Sequence, residues 1–136
     1  MATTTYLSNP VVTINSVDLS DQTTAATLTR VIESLESTAF GSTNRSYVGG
    51  LENSTLTCTM LNSFVATETY ATLKALVGTQ VTVKIKPTSG ATSATNPEST
   101  LTAAYLSSLP IVNGKIGMLD TIDIVFTGGA YSVAIA

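Results

Sequence analysis

The chain has 136 residues, with six basic and nine acidic side chains and no histidine. That length suits one domain, here residues 1–136, able to bury about two thirds of the surface its unfolded form exposes. An acidic balance without a basic run excludes a protein that grips nucleic acid by neutralising phosphates, and the missing histidine removes the commonest general base and metal ligand.

Strand patterns dominate in chain order. After Pro10, Val12 and Ile14 alternate with Val11, Thr13 and Asn15, which predicts a strand over 11–15 and a turn in the VDLSD that follows. Residues 26–33 predict a second strand, with Ala26, Leu28, Arg30 and Ile32 on one face. An unpaired guanidinium is costly to bury, so Arg30 either pairs with a carboxylate or lies at an edge or subunit contact. Residues 54–60 alternate most cleanly: Leu56, Cys58 and Met60 face in, and Thr55, Thr57 and Thr59 face out.

The period then changes. Tyr70, Leu73 and Val77, with Ala66 one turn earlier, predict one helix over 67–78, with Thr67 as N-cap and Gly78 as terminator. Val81, Val83 and Ile85 return to alternation before Pro87. Residues 88–99 have no period and read as a long loop, functional or mobile. A strand over 100–106 follows, then a reversal marked by Pro110 and Asn113-Gly114, a step suited to a tight hairpin, then a strand over 120–126 with Ile122, Ile124 and Phe126 inward. Gly128 and Gly129 are expected to reverse the chain into a last strand over 131–135. Seven or eight strands and one helix predict a β-sandwich or partly closed barrel with the helix on one side.

Composition fits an associating surface. Charged residues are 11% of the chain, against about 25% in ordinary soluble proteins, and serine and threonine make up roughly three residues in ten. Little charge repulsion remains to keep apolar patches apart. No run reaches the roughly 18 apolar residues of a spanning helix, and the N-terminus has neither a basic nor an apolar signal region. Cytoplasmic synthesis is the expectation.

Chemistry is sparse. Cys58 is the single cysteine, expected as a buried thiol with no histidine to activate it. Asp120 with Asp123, or Glu33 with Glu36, would be carboxylate pairs, but residues three apart on a strand point to opposite faces. Asp18 and Asp21 fit turn caps better than a calcium site. No phosphate-binding glycine loop occurs, and Tyr6, Tyr47, Tyr70, Tyr105 and Tyr131 form no stacking platform with interleaved arginines. No enzyme, cofactor or metal is expected.

One segment stands apart. Around residues 38–53, Phe40, Tyr47 and Leu51 fence a run of Gly41, Ser42, Thr43, Asn44, Arg45, Ser46, Gly49 and Gly50. Such a loop has little core of its own, so its apolar side chains either tuck back onto the domain or dock into a neighbour.

With VTINSVDLSD at 12–21, STAFGSTNRSYVGGLENSTLTCTMLNSF at 37–64, VTVKIKPTSGATSATNPEST at 81–100, and a later segment carrying Pro110 and Gly114, the chain resembles the major tail tube proteins of long-tailed phages with flexible, non-contractile tails. The resemblance implies a β-sandwich or barrel with a flanking helix, built into rings of six that stack as a hollow tube for the genome. It implies contacts with other copies and other tail proteins, assembly in the bacterial host cytoplasm, and a place in the virion. DNA would pass without specific binding. Phe40, Arg45, Tyr47, Gly49, Gly50 and Leu51 would then meet an adjacent subunit or ring, while Lys84 and Lys86 should pair with carboxylates or lie outside the lumen. A capsid decoration protein, a head-to-tail connector and a small β-sandwich ligand-binding module are the alternatives.

Overall fold

The computed structural model describes residues 9–135, so Tyr6 lies outside the described residues. In chain order the elements are β1 (Val11–Ile14), β2 (Val17–Asp18), β3 (Thr23–Thr29), β4 (Ile32–Glu36), β5 (Tyr47–Glu52), β6 (Thr55–Leu61), α1 (Thr69–Leu73), β7 (Gln80–Lys86), β8 (Glu98–Leu106), β9 (Thr121–Thr127) and β10 (Ala130–Ala134). Eight strands form one sheet in the order β2-β1-β7-β8-β9-β6-β3, with β10 also paired to β8, while β4 and β5 pair only with each other.

The large sheet doubles over at a narrow junction. Strands β8 and β9 share only two pairings, Tyr105 with Thr127 and Leu106 with Phe126. One layer is therefore β2-β1-β7-β8-β10 and the other β9-β6-β3, which is the predicted sandwich. Period-2 alternation sends Val12, Ile14, Val81, Val83 and Leu101 inward from the first layer. From the second come Leu56, Cys58, Met60, Ile122, Ile124 and Phe126, and all of them join one buried cluster. Each fully buried aliphatic or phenyl side chain contributes about 1.5–3 kcal/mol.

The chain does not reverse at Gly128-Gly129, contrary to expectation. Thr127 lies opposite Tyr105, and Ala130 lies opposite Thr102, so β10 continues along β8 in unbroken register and in the direction of β9. The open edge of β8 already runs alongside, and the strand simply follows it. Ala103 interrupts β8 there with a positive φ of 63°, facing Gly128 and Gly129 at φ 77° and 84°. A Cβ on Gly129 would sit 2.5 Å from the Thr102 carbonyl oxygen and 3.0 Å from the Ala104 nitrogen. Only glycine passes there.

The turn expected in VDLSD is found in its second half, where the Gln22 and Thr23 N–H groups donate to the Leu19 carbonyl. Val17 and Asp18 instead form β2, and the β1-β2 hairpin turns at Asn15 and Ser16, both at positive φ. The helix departs from expectation. Thr67, at φ 67°, is not the N-cap; Glu68 holds that place without a side-chain cap bond, and the helix is a short turn over Thr69–Leu73. Its buried face is Thr69, Leu73 and, beyond its end, Leu76, whereas Val77 is exposed. Gly78 does adopt φ +80°, but its N–H donates to the Leu106 carbonyl at 2.7 Å and not to the helix.

Asn113 and Gly114 lack the positive φ of a tight hairpin. Asn113 is instead a tether: its backbone N–H donates to Asp120 Oδ1 at 3.0 Å and its Nδ2 to the Thr121 carbonyl at 2.9 Å. Asn62 Nδ2 adds bonds to Asp120 Oδ2 at 2.9 Å and the Ile111 carbonyl at 2.7 Å. These bonds hold residues 107–120 as a wide loop. The loop between β7 and β8 is wound round buried Asn96, whose Nδ2 lies 3.1–3.3 Å from the carbonyls of Thr88, Gly90 and Ala91. Its Oδ1 accepts the Thr88 N–H at 3.1 Å. At the other turn, Asp18 Oδ1 caps the Ser20 N–H at 2.9 Å.

Two outcomes follow from these contacts. Gly117, at φ +87° with open space around it, should tolerate alanine at a cost of about 1–2 kcal/mol for the left-handed backbone alone. Gly129→Ala should cost about 1–3 kcal/mol more in urea unfolding, because the backbone of β8 must also move; equal losses at the two sites would refute the close crossing. Burial pushes the Cys58 thiol up to about 12, so a disulfide-exchange reagent at pH 8 should modify it only as fast as the domain unfolds.

Candidate functional site

The segment expected as a loop is half strand. Strands β4 and β5 pair antiparallel, Ile32 with Glu52, Ser34 with Gly49, Leu35 with Val48 and Glu36 with Tyr47, with an irregularity between Ile32 and Ser34. Residues 37–46 form the tip, closed by the Ser37 N–H on the Ser46 carbonyl at 2.8 Å and the Ser46 N–H on Thr38 Oγ1 at 2.9 Å. The glycines of β5 give room to the strand beside them: a Cβ on Gly50 would stand 2.9 Å from Glu33 Oε2 and 3.2 Å from Leu35 Cδ1. Tyr47–Glu52 was missed as a strand because Gly49 and Gly50 break its alternation.

No strand of the main sheet pairs with this arm. A two-stranded hairpin alone is marginal in water and needs a third strand or an apolar covering surface. Here the apolar side chains lack that cover: Val31, Ile32, Leu35, Tyr47 and Val48 are all exposed, and Leu51 is 82% and Phe40 fully accessible. Of the two options open for this segment, tucking back is excluded for Phe40 and Leu51.

The arm is pinned at its base. Strand β3 stops at Thr29, and Arg30 Nε donates to Glu52 Oε1 at 2.7 Å, which also accepts from Ser54 Oγ at 3.1 Å. The guanidinium stands 5.1 Å from the centre of the Tyr131 ring, and the Asn53 N–H donates to the Val31 carbonyl at 2.8 Å. Arg30 thus pairs with a carboxylate and also marks the edge where β3 gives way to the arm. The bond from Arg30 holds the Glu52 carboxyl below its ordinary range, against a smaller opposing effect of burial, and the Glu52 bond raises Arg30 in turn. Both groups are solvent-accessible, so the pair orients the arm more than it stabilises the fold.

All six residues singled out in the sequence, Phe40, Arg45, Tyr47, Gly49, Gly50 and Leu51, belong to this arm, with Phe40 and Arg45 in the tip and the rest on β5. Arg45 Nε lies 3.8 Å from Glu36 Oε2, a long and exposed pair. A second apolar surface was missed: Ile111, Val112, Ile116, Met118 and Leu119 are exposed on the 107–120 loop, and Phe64 and Val65 are exposed before α1. Its signal was a run of large apolar residues without either period, which no core-facing element explains. Lys84 Nζ lies 3.9 Å from Glu98 Oε1. Among the described residues no helix is long and apolar enough to cross a membrane.

No protein-family model and no curated protein matches the sequence. Solved structures do match the fold. A chain in the sheath/tube terminator of an extracellular contractile injection system, in the extended state, superposes with a TM-score of 0.73 at 10% identity, covering 98% of each chain. A chain in the tube-terminating cap of the anti-feeding prophage gives 0.73 at 14% identity, over 100% of this chain and 94% of that one. A chain in the tail of an empty gene transfer agent particle, treated with C6 symmetry, gives 0.55 at 12% identity, over 85% and 82%. This chain shares the fold of those chains.

The Arg30–Glu52 pair makes the arm sensitive to acid. Glu52 is depressed in the folded chain, so its contribution is complete above the ordinary glutamate range of about 4.3 and is lost as pH falls through the lower folded value. Arg30 stays charged throughout. Protection of the β4 and β5 amides, taken relative to the intrinsic exchange rate at each pH, should therefore fall on acidification below about pH 4 before that of β6 and β9 does; Glu52→Gln should lower arm protection at neutral pH and flatten the acid response.

Proposed function

We infer that this chain is a structural, non-enzymatic subunit of a tail tube, the conduit through which a phage or phage-like particle delivers its genome. The observation that carries the reading is an unsupported hairpin arm with exposed apolar side chains, set on a fold shared with tube-terminating and tail chains. A surface of that kind is covered in an assembly. The sequence resemblance to non-contractile tail tubes and the C6 symmetry of the gene transfer agent tail support rings of six copies that stack along one axis. The subunit then belongs to the virion tail and is made in the host cytoplasm.

Ring contacts of this type are heterologous: they close within a ring and repeat without closing along the axis. Each should bury at least about 1,000 Å² in total. The net charge of -3 per subunit makes the assembly acidic, and any excess facing the lumen repels DNA phosphates over a screening length of about 8 Å. The Lys84–Glu98 pair offsets one of the cations on β7.

A terminator or connector that forms a single ring is the second reading, favoured because two of the matching structures are described as a terminator and a terminating cap. Open tubes from purified protein support the repeating subunit; isolated rings support the terminator. A carbohydrate-type binding module is disfavoured, since it needs an aromatic strip and the chain has no tryptophan.

Phe40→Ala and Tyr47→Ala test the arm. Both side chains are exposed in the single subunit, so each change should shift its unfolding by under about 0.5 kcal/mol. Loss of an anchoring aromatic of about 2 kcal/mol should raise the critical concentration for tubes about 30-fold, read by sedimentation and electron microscopy. Unfolded variants, or tubes formed as readily as before, would remove the arm from the interface.

A further inference from the structure

We propose that the tip of the arm of one copy seats in a groove at the base of the arm of the next, with Phe40 in the groove and Glu36 facing Lys86. The proposal rests on the assembly reading above and names the contact within it. The groove is apolar, walled by Pro10, Leu28, Ile85, Pro87, Pro97 and Tyr131, with Arg30 and Lys86 as its cations and a volume of about 240 Å³.

Its chemistry is incomplete in the single chain. Lys86 is half-buried at the end of β7, yet no carboxylate of the described residues lies within ion-pair distance of it. An unpaired ammonium beside proline and aliphatic carbon is complementary to a carboxylate carried beside apolar side chains. Arg30 is already paired through its Nε with Glu52, which leaves Lys86 as the groove's cation without an ion pair. Lys86 is the vacancy for an incoming anion.

The arm supplies the matching half. Above its base it carries Glu33 and Glu36 against Arg45 alone, with Leu35 and Phe40 alongside. Phe40 is wholly exposed, so it does not fill the groove of its own copy. Glu36 has only the long, exposed contact with Arg45 to give up, at little cost. Tip and groove are different surfaces, so every copy offers one of each, and the contact can be passed on to a third copy, as a ring or stack requires; a reciprocal exchange of tips would close two copies as a dimer instead.

Cysteine cross-linking tests the contact cleanly because Cys58 is buried and inert. The full chain carrying Ala39→Cys beside Phe40 and Ser99→Cys in the groove, assembled and mildly oxidised, should give a ladder of covalent multimers on denaturing gels. Neither single variant should do so. Tubes or rings without the ladder would overturn this contact while leaving the assembly reading intact, and so would a Ser99→Cys partner pairing with Val112→Cys in place of Ala39→Cys. A parent chain that stays monomeric at high concentration would sink both. As a second measure, Glu36→Lys and Lys86→Glu should each weaken assembly at least about tenfold, and the two together should recover most of it; a double variant no better than either single would refute the pairing.

Discussion

Two backbone pairings hold the domain together as one sheet: Tyr105 with Thr127 and Leu106 with Phe126. At this seam the layer carrying β7 and β8 passes into the layer carrying β6 and β9, and the interior between them is filled from both sides. Just beyond it, Ala103 bulges and Gly129 crosses so closely that a single methyl would strike the backbone. The irregularity of β8 falls on its β7 side, between Val81 and Val83, while its register to β9 and to β10 is the same. Hydrophobic burial supplies most of the stability, but this crossing decides which surfaces face each other.

Set against that closed core, the arm is built on opposite terms. Its hydrogen bonds run within the hairpin and at its root, its glycines make room for neighbouring side chains on β4, and its large apolar groups face water. Such a hairpin adds little to the stability of the subunit on its own. Few charges elsewhere and a threonine-clad outer face on β6 leave the exposed apolar patches as the main source of stickiness. The 107–120 loop offers a second patch, held open by Asn62, Asn113 and Asp120.

What was legible in the sequence was what obeys a period. The alternation at Leu56, Cys58 and Met60 and at Ile122, Ile124 and Phe126 identified the inner layer correctly, because burial on one face of a strand imposes period two. Gly128-Gly129 misled, since a glycine pair that turns a chain and one that slips past a bulge look alike without the partner strand. Asn113-Gly114 misled for a related reason: Asn113 was engaged by Asp120 and by the Thr121 carbonyl, tertiary partners that override local turn preference. The helix was overextended because Leu73 and Leu76 bury through a short turn and the chain around them, with Thr67 left-handed before it. In the arm, composition set the segment apart from the core, but the strand at Tyr47–Glu52 was hidden by its glycines. Lys86 became notable only when the groove around it was formed by residues far apart in the chain.

The loop wound round Asn96 has a different character from the arm. Its centre is a neutral amide bonded to backbone groups of Thr88, Gly90 and Ala91, with no ionisable side chain among those partners. An amide neither titrates nor loses its attraction to ionic screening, so the bonds at the centre of this loop are indifferent to acid and salt, unlike the Lys84–Glu98 pair at its root. The arm's root depends on a carboxylate and a guanidinium and shares neither immunity. The centre of one loop is thus chemically fixed, while the arm can be loosened by its surroundings without disturbing the core between them.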